Sequence, residues 1–440
     1  MTRRVVVVLL LVVSGVAGGA VTAVRAAANS ARADAAARTL AEMELRNADI
    51  AFYQQRVEAD PIGAADRARL AALYLQRARE TGNYEDYRRA ETAARQSLAL
   101  RTAHNGKTYA LLASALLAQH RFAEALAVAR TLNARDPGVT NYRALLGEIQ
   151  LELGQYSAAR PTFDSLWSAR HELSVAPRLA RWAELAGRTD LAGRILEQAL
   201  ADARQRRDLP REQVAWFYLR VGDLALRTGR LREADYAFRA GLRVFPEDYR
   251  LLAAVARLEA VQLHWRKAIE YGERAIATLP DPATLGLLSD AYAALGDSAR
   301  AQEYARAMEV AVLYQPGQWH RAWSLFLLDH DVRVPEVLAK AREELETRRD
   351  IYGYDLLAWA LHKQHRDLEA RQAMATALGQ GTQDGLLFYH AGMIERALDN
   401  DDAARQYLEQ ALAVNPYFHP TQPAAARAAV DSPRQKAPAR

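Results

Sequence analysis

Small and apolar residues recur along this chain at a fixed interval. In the stretch LGEIQLELGQYSAA, Gly147 and Gly154 stand seven apart and Ala159 follows five later. Aligned on that alanine, the anchors are Ala90, Ala125, Ala159, Ala192, Ala234, Ala268, Ala301, Ala370 and Ala404, separated by 35, 34, 33, 42, 34, 33, 69 and 34 residues. Twelve residues before each of the last eight stands a small residue: Ala113, Gly147, Ala180, Gly222, Ala256, Ser289, Ala358 and Gly392. Glycine stands five before four anchors, at Gly154, Gly187, Gly229 and Gly296, and proline twelve after four, at Pro137, Pro246, Pro280 and Pro416. Alanine is abundant in this chain, so the weight lies in the conjunction.

The pattern predicts a helix–turn–helix unit. The small residue in the first helix and the alanine in the second let two helices approach closely. The glycine between them can take the left-handed conformation that ends a helix, and the proline stops the second helix before the next unit. Apolar residues such as Phe163 and Phe238, four after their anchors, fill in around these points. One pair cannot bury its apolar face alone, so neighbours must stack. The expected fold is all-α, an α-solenoid.

With this order of small, glycine, alanine, aromatic and proline positions, residues 63–418 resemble the tetratricopeptide repeat family. About ten repeats are expected, eight of them clear. The 42-residue step carries an extra segment around QRRDLPRE, Gln205–Glu212. The 69-residue step hides a degenerate repeat, QWHRAWSLFLLDH followed by VPEVLAKAREELETRR, and Ala90 has Gly82 eight residues before it instead of five. The last third, from RRDIYGYDLLAWAL to ALAVNPYFHP, also resembles exported bacterial proteins of this repeat class whose activity is unsettled.

The resemblance implies a right-handed superhelix with a concave groove. In the repeat anchored by Ala370, the stripe Tyr354, Leu357, Ala358 and Leu361 packs inward, and a second stripe, Tyr352, Asp355, Trp359 and His362, would line the groove. Carried to the next repeat, that second stripe gives Tyr389, Met393 and Arg396. Earlier repeats give Asn141 and Glu148, Trp216 and Asp223, Arg250 and Arg257, and Asp290. The candidate ligand-binding residues are Tyr352, Asp355, Trp359, His362, Tyr389, Met393 and Arg396, because Trp, Tyr and Arg dominate interface energetics. The competing reading is that Trp359 and Tyr389 seal the joint between repeats.

The ends differ in character. MTRRVVVVLLLVVSGVAGGAVTAVRAAANS opens with Arg3 and Arg4, an apolar run from Val5 to Val13 and the small residues Ala26, Ala27 and Ala28. Residues 1–28 therefore read as a secretory signal peptide. Residues 5–24 are uncharged and just long enough for an uncleaved membrane anchor. Either way the remainder is expected to be exported, periplasmic or extracellular, with the arginines inside. Residues 29–62 read as an N-terminal helical cap segment, with one or two helices between Ala36 and Asp60. Residues 419–440 read as a Pro/Ala-rich, basic, frayed tail.

Composition narrows the chemistry. With 440 residues, 50% hydrophobic and 25% charged, the chain is globular but too long for one ordinary core. It has no cysteine, which removes disulfides, thiolate ligands and cysteine nucleophiles together. A net charge of +5, from 58 Lys and Arg against 53 Asp and Glu, is too even to argue for a nucleic-acid partner. Phosphate-binding, dinucleotide, G-x-S-x-G and H-E-x-x-H motifs are all missing from the sequence.

Three polar patches have simpler readings than chemistry. Asp329, His330 and Asp331 read as a turn within the degenerate repeat. His362 and His365 read as a solvated helix end, and Asp399, Asp401 and Asp402 as helix-capping residues. No cofactor and no metal is expected. The leading expectation is a non-enzymatic scaffold holding a protein or extended peptide in the groove. The alternatives are a cell-envelope glycan or lipid-assembly binder, which needs Trp359 and Tyr389 exposed together, and an enzyme with a closed site around His330 or His362.

Overall fold

The computed structural model describes residues 2–313 and 321–431, with side chains from residue 30 onward. The expected leader, residues 1–28, and its anchor alternative, residues 5–24, lie outside the described side chains. Among the described residues no helix is long and apolar enough to cross a membrane.

A single helix, α1 (Thr2–Ala59), precedes ten antiparallel helix pairs. The pairs are α2 (Ala64–Thr81) with α3 (Tyr84–Leu100), α4 (Gly106–Ala118) with α5 (Phe122–Arg135), α6 (Thr140–Glu152) with α7 (Tyr156–Asp164), α8 (Ala176–Leu185) with α9 (Thr189–Gln205), and α10 (Arg211–Arg227) with α11 (Leu231–Val244). They continue as α12 (Tyr249–Val261) with α13 (Trp265–Ile276), α14 (Pro282–Ala294) with α15 (Ser298–Leu313), α16 (Arg321–Asp329) with α17 (Val334–Thr347), α18 (Ile351–Lys363) with α19 (Asp367–Leu378), and α20 (Gly385–Ala397) with α21 (Asp401–Val414). The degenerate repeat is the α16/α17 pair. The segment around Gln205–Glu212 lengthens α9 and α10 to 17 residues each.

The recurring positions do what their size allows. All nine anchor alanines are buried. A Cβ on Gly147 would stand 2.8 Å from the Phe163 ring, one on Gly222 2.4 Å from Phe238, and one on Gly392 2.6 Å from Leu408. The residue four after the anchor thus occupies the space that the small residue leaves. Gly154, Gly187, Gly229 and Gly296 take φ between 71 and 82° at the turn between paired helices.

Beyond the pairs, the array winds back upon itself. Arg349 N–H donates to Leu153 O at 3.2 Å and Ile351 N–H to Tyr156 Oη at 3.0 Å. Thr382 Oγ1 donates to Leu185 O at 2.5 Å and Asn415 Nδ2 to Leu226 O at 3.0 Å. The three side-chain bonds join residues 195, 197 and 189 apart. Turns of the third, fourth and fifth pairs therefore touch the chain about six pairs later, and one superhelical coil rests on the next. Between residues 30 and 59, α1 reaches from α2 (Arg46 to Glu80, 3.0 Å) to Arg211 (from Glu42, 3.2 Å) and to Glu247 before α12 (from Arg32, 2.8 Å). At the other end, where a frayed tail is expected, residues Gln422–Asp431 form α22, anchored by Gln422 Nε2 donating to Asp329 at 3.2 Å. The residues beyond 431 lie outside those described.

Candidate functional site: the lumen of the superhelix

In the first helix of a pair, the residues six before and one after the small position face the superhelix axis. In α6 these are Asn141 and Glu148, and in α10 Trp216 and Asp223. Because the coils are tight, the faces meet across a narrow lumen that retains a cavity of about 540 Å³. Asn141, Glu148 and Trp216 line it, as the stripe pattern leads one to expect, together with Arg178, Arg181 and Arg220. Leu151, Leu173, Pro177 and Phe217 supply an apolar portion of the wall.

The charges of the lumen are mostly matched. Arg178 lies 2.6 Å from Glu148, Arg257 3.0 Å from Asp223, and Arg250 2.7 Å from both Glu212 and Asp248. Arg79 of α2, 133 residues away in sequence, reaches the same Glu212 at 3.5 Å, so Arg79 and Arg250 share one carboxylate. Glu184 serves two cations, Arg227 at 2.6 Å and Arg181 at 3.2 Å. Burial alone would raise the Glu184 carboxyl, but Arg227 and Arg181 hold it down at about 2. Glu212 is likewise held below its usual range, burial being outweighed by Arg250 and Arg79. Glu152 goes the other way: burial pushes its carboxyl up, and Arg348 at 3.1 Å offsets only part of that. Arg220 also shifts against its charge. Burial lowers its pKa and neighbouring Arg227 adds to the effect.

None of the seven C-terminal candidates lines this cavity, and Tyr352 touches one of its lining residues, Arg181. Its ring lies between two guanidinium groups, 4.3 Å from Arg321 and 5.5 Å from Arg181, so α18 of the second coil meets α8 of the first there. Asp355 is fully buried and lies 2.7 Å from His390 Nδ1 and 2.9 Å from Arg321 Nη2. Burial would raise its carboxyl, but His390 and Arg321 keep it below the usual carboxylate range.

Trp359 is 4% exposed and Tyr389 5% exposed, so the expected groove platform is an inter-repeat joint. The Trp359 ring stacks on His390 at 4.1 Å and on His362 at 4.9 Å, and its indole N–H donates to Asp329 at 3.4 Å. Tyr389 packs between Trp359 and Phe418. The next first helix lies against these large rings, and burying them there is more favourable than leaving them in water. His362 turns to Asp367 at 2.6 Å, Met393 is partly buried against the same core, and Arg396 is half-buried in the last turn of α20.

The three polar patches disperse. Asp329 receives Trp359 and Gln422, His330 faces Asp290 at 2.8 Å, and Asp331 accepts from Lys363 at 2.8 Å. His365, at φ 58°, and Asp399, at φ 57°, occupy the turn position that glycine holds elsewhere. Asp401 and Asp402 lie in the first turn of α21, without a side-chain cap bond at its N-cap, Asn400. Among the described residues no group of three or more His, Asp or Glu could hold a metal ion.

Arg178, Arg181 and Arg220 escaped the sequence reading for different reasons. Arg181 follows the small residue Ala180 as Glu148 follows Gly147, so its register carried the signal. Arg178 and Arg220 stand off the stripe. They reach the lumen only because the coils are tight.

Two segments of the chain, residues 116–181 and 387–418, match family models described as tetratricopeptide repeat. No curated protein matches. One similar solved structure is that of the APC/C hetero-tetramer Cut9–Hcn1, at 14% identity and a TM-score of 0.34, covering 91% of this chain and 95% of that one. Another is BtubC (BKLC) from P. vanneervenii, at 18% identity and a TM-score of 0.36, covering 46% of this chain and 92% of that one. By its stacked helix pairs the chain is an all-α solenoid. The two matched segments are tetratricopeptide repeats, and the other helix pairs share their register.

Proposed function

We infer that this chain is a non-enzymatic scaffold that holds an extended segment of another protein along its lumen, outside the inner membrane. The observation that carries the reading is the lumen itself. Concave faces of successive first helices converge on an open cavity that mixes ion-paired polar groups with Trp216 and Leu151, and a repeat array offers such a continuous surface to an extended ligand. The location rests on the leader pattern of residues 1–28. Binding of a glycan or lipid assembly rested on Trp359 and Tyr389 sharing an exposed surface, and their burial removes that support. An enzyme centred on His330 or His362 needed convergent groups, and these two histidines turn to separate aspartates.

The test places a photo-crosslinking residue at Asn141 in the lumen or at exposed Arg130 on α5, in full-length protein expressed in its host. One protein captured repeatedly from Asn141 and not from Arg130 is the expected result. Equal capture from both positions would remove the lumen from the proposal.

A further inference from the structure

We propose that the lumen wall formed by α8 and α10 is a binding site for a small organic dianion, a phosphate ester or a dicarboxylate, received by Arg220 with Arg181 beside it. The inference goes beyond the scaffold reading and does not depend on it.

Arg181, Arg220 and Arg227 cluster on this wall, and the acid they share is Glu184, which already serves Arg181 and Arg227. Asp223 is near enough to favour the Arg220 charge, but it is committed to Arg257 at 3.0 Å. Glu152, which shares Arg348 with Glu344 and Asp350, adds a carboxyl beside Arg181. Arg220 itself makes no hydrogen bond and no ion pair among the described residues, although it lines the cavity. Beside it, Arg227 Nη2 is buried with no hydrogen-bond partner. Arg220 is partly exposed and lines the cavity, and as an arginine it stays protonated there, open to an anion. Burial, and after it neighbouring Arg227, lowers the Arg220 pKa, whereas Arg181 and Arg227, which have Glu184, are shifted up. The other lumen arginines with named carboxylates show that the fold can supply partners where partners are needed.

The missing charge is therefore that of a ligand. A guanidinium fork matches the two oxygens of a carboxylate or phosphate group, and two guanidinium groups lining one cavity, Arg220 and Arg181, suit a dianion. The cavity of about 540 Å³ far exceeds an inorganic ion and falls in the range of small-molecule sites. Leu151, Leu173 and Trp216 offer apolar contact for the body of the ligand. Glu152 faces the same cavity, but Arg348 holds it from the adjacent coil.

The test follows thermal unfolding and calorimetric binding of the full chain with inorganic phosphate, succinate or acetate, at ionic strength matched with chloride. Wild type, Arg220→Gln and the exposed-surface control Arg130→Gln are compared. Wild type and Arg130→Gln are expected to bind phosphate or succinate more tightly than acetate, and Arg220→Gln to bind about tenfold more weakly or worse. Preference for phosphate assigns a phosphate ester, and preference for succinate a dicarboxylate. Without ligand, Arg220→Gln is expected to melt higher than wild type, since it removes an unpaired charge. No dianion binding in wild type, or equal binding by Arg220→Gln, overturns the proposal. A lower melting point of ligand-free Arg220→Gln also overturns it, by making Arg220 a structural residue.

Discussion

At the residue scale, Gly222 and Glu184 show two ways in which one side chain governs the packing. A methyl group on Gly222 would meet Phe238 at 2.4 Å, and Phe238 is a fully buried ring with no room to retreat. Gly222→Ala gains about 1 kcal/mol of helix propensity and incurs about 1–3 kcal/mol of overpacking. A net loss of stability is the expected outcome, read by urea unfolding, and a more stable variant would contradict the close approach of α10 and α11. Glu184 links stability to pH. Its folded-state pKa of about 2 lies below the ordinary 4.5, so its contribution is fully present above pH 4.5 and is lost as pH falls toward 2. The difference corresponds to on the order of 3 kcal/mol. Unfolding free energies measured between pH 6 and pH 2 should fall less steeply in Glu184→Gln than in wild type. Both residues sit at positions where the sequence pattern is informative, Gly222 as a small residue and Glu184 on the continuation of a lumen stripe. Only Gly222 could be assigned its role from the pattern, because the partners of Glu184 come from two different pairs.

At the element scale, the turn between paired helices is the most regular feature, and it does not depend on glycine. His120, Leu263, His365 and Asp399 take the left-handed conformation at the same register, with φ from 57 to 61°. Packing of the two helices determines the turn, and a non-glycine residue accepts strain of about 1–2 kcal/mol there. Two glycines separate this local demand from a long-range one. Gly296 has φ +82° and open space around its absent Cβ, whereas Gly154 has φ +71° and would place a Cβ 2.1 Å from Arg349 O on the next coil. Gly296→Ala should lose about 1–2 kcal/mol with its radius of gyration unchanged. Gly154→Ala should lose more and expand measurably in small-angle X-ray scattering. Equal behaviour of the two variants would mean that the coils are not in tight contact at this joint. The position of these turns is readable from spacing, but the second role of Gly154 is not.

At the scale of the whole molecule, the coil-to-coil contact shapes both the lumen and its chemistry. It brings Arg348 to Glu152 and Tyr352 to Arg181, and it seats Thr382 on Leu185. It narrows the groove so that Arg79 and Arg250 share Glu212 from different pairs. Trp359 and Tyr389 have the composition of an interface hot spot but the environment of a core, because the neighbouring first helix covers them. The sequence by itself determined the helix pairs, their register and the stripe that faces inward. Those features depend on contacts within one repeat or between neighbours, where size and spacing carry the signal. The tertiary structure alone decided which stripe residues reach a cavity, which are buried, and that Arg220 lacks a counter-ion. Those outcomes depend on partners from other pairs, some of them nearly 200 residues away, set by small rotations between successive pairs that accumulate around a coil and leave no periodic mark in the sequence.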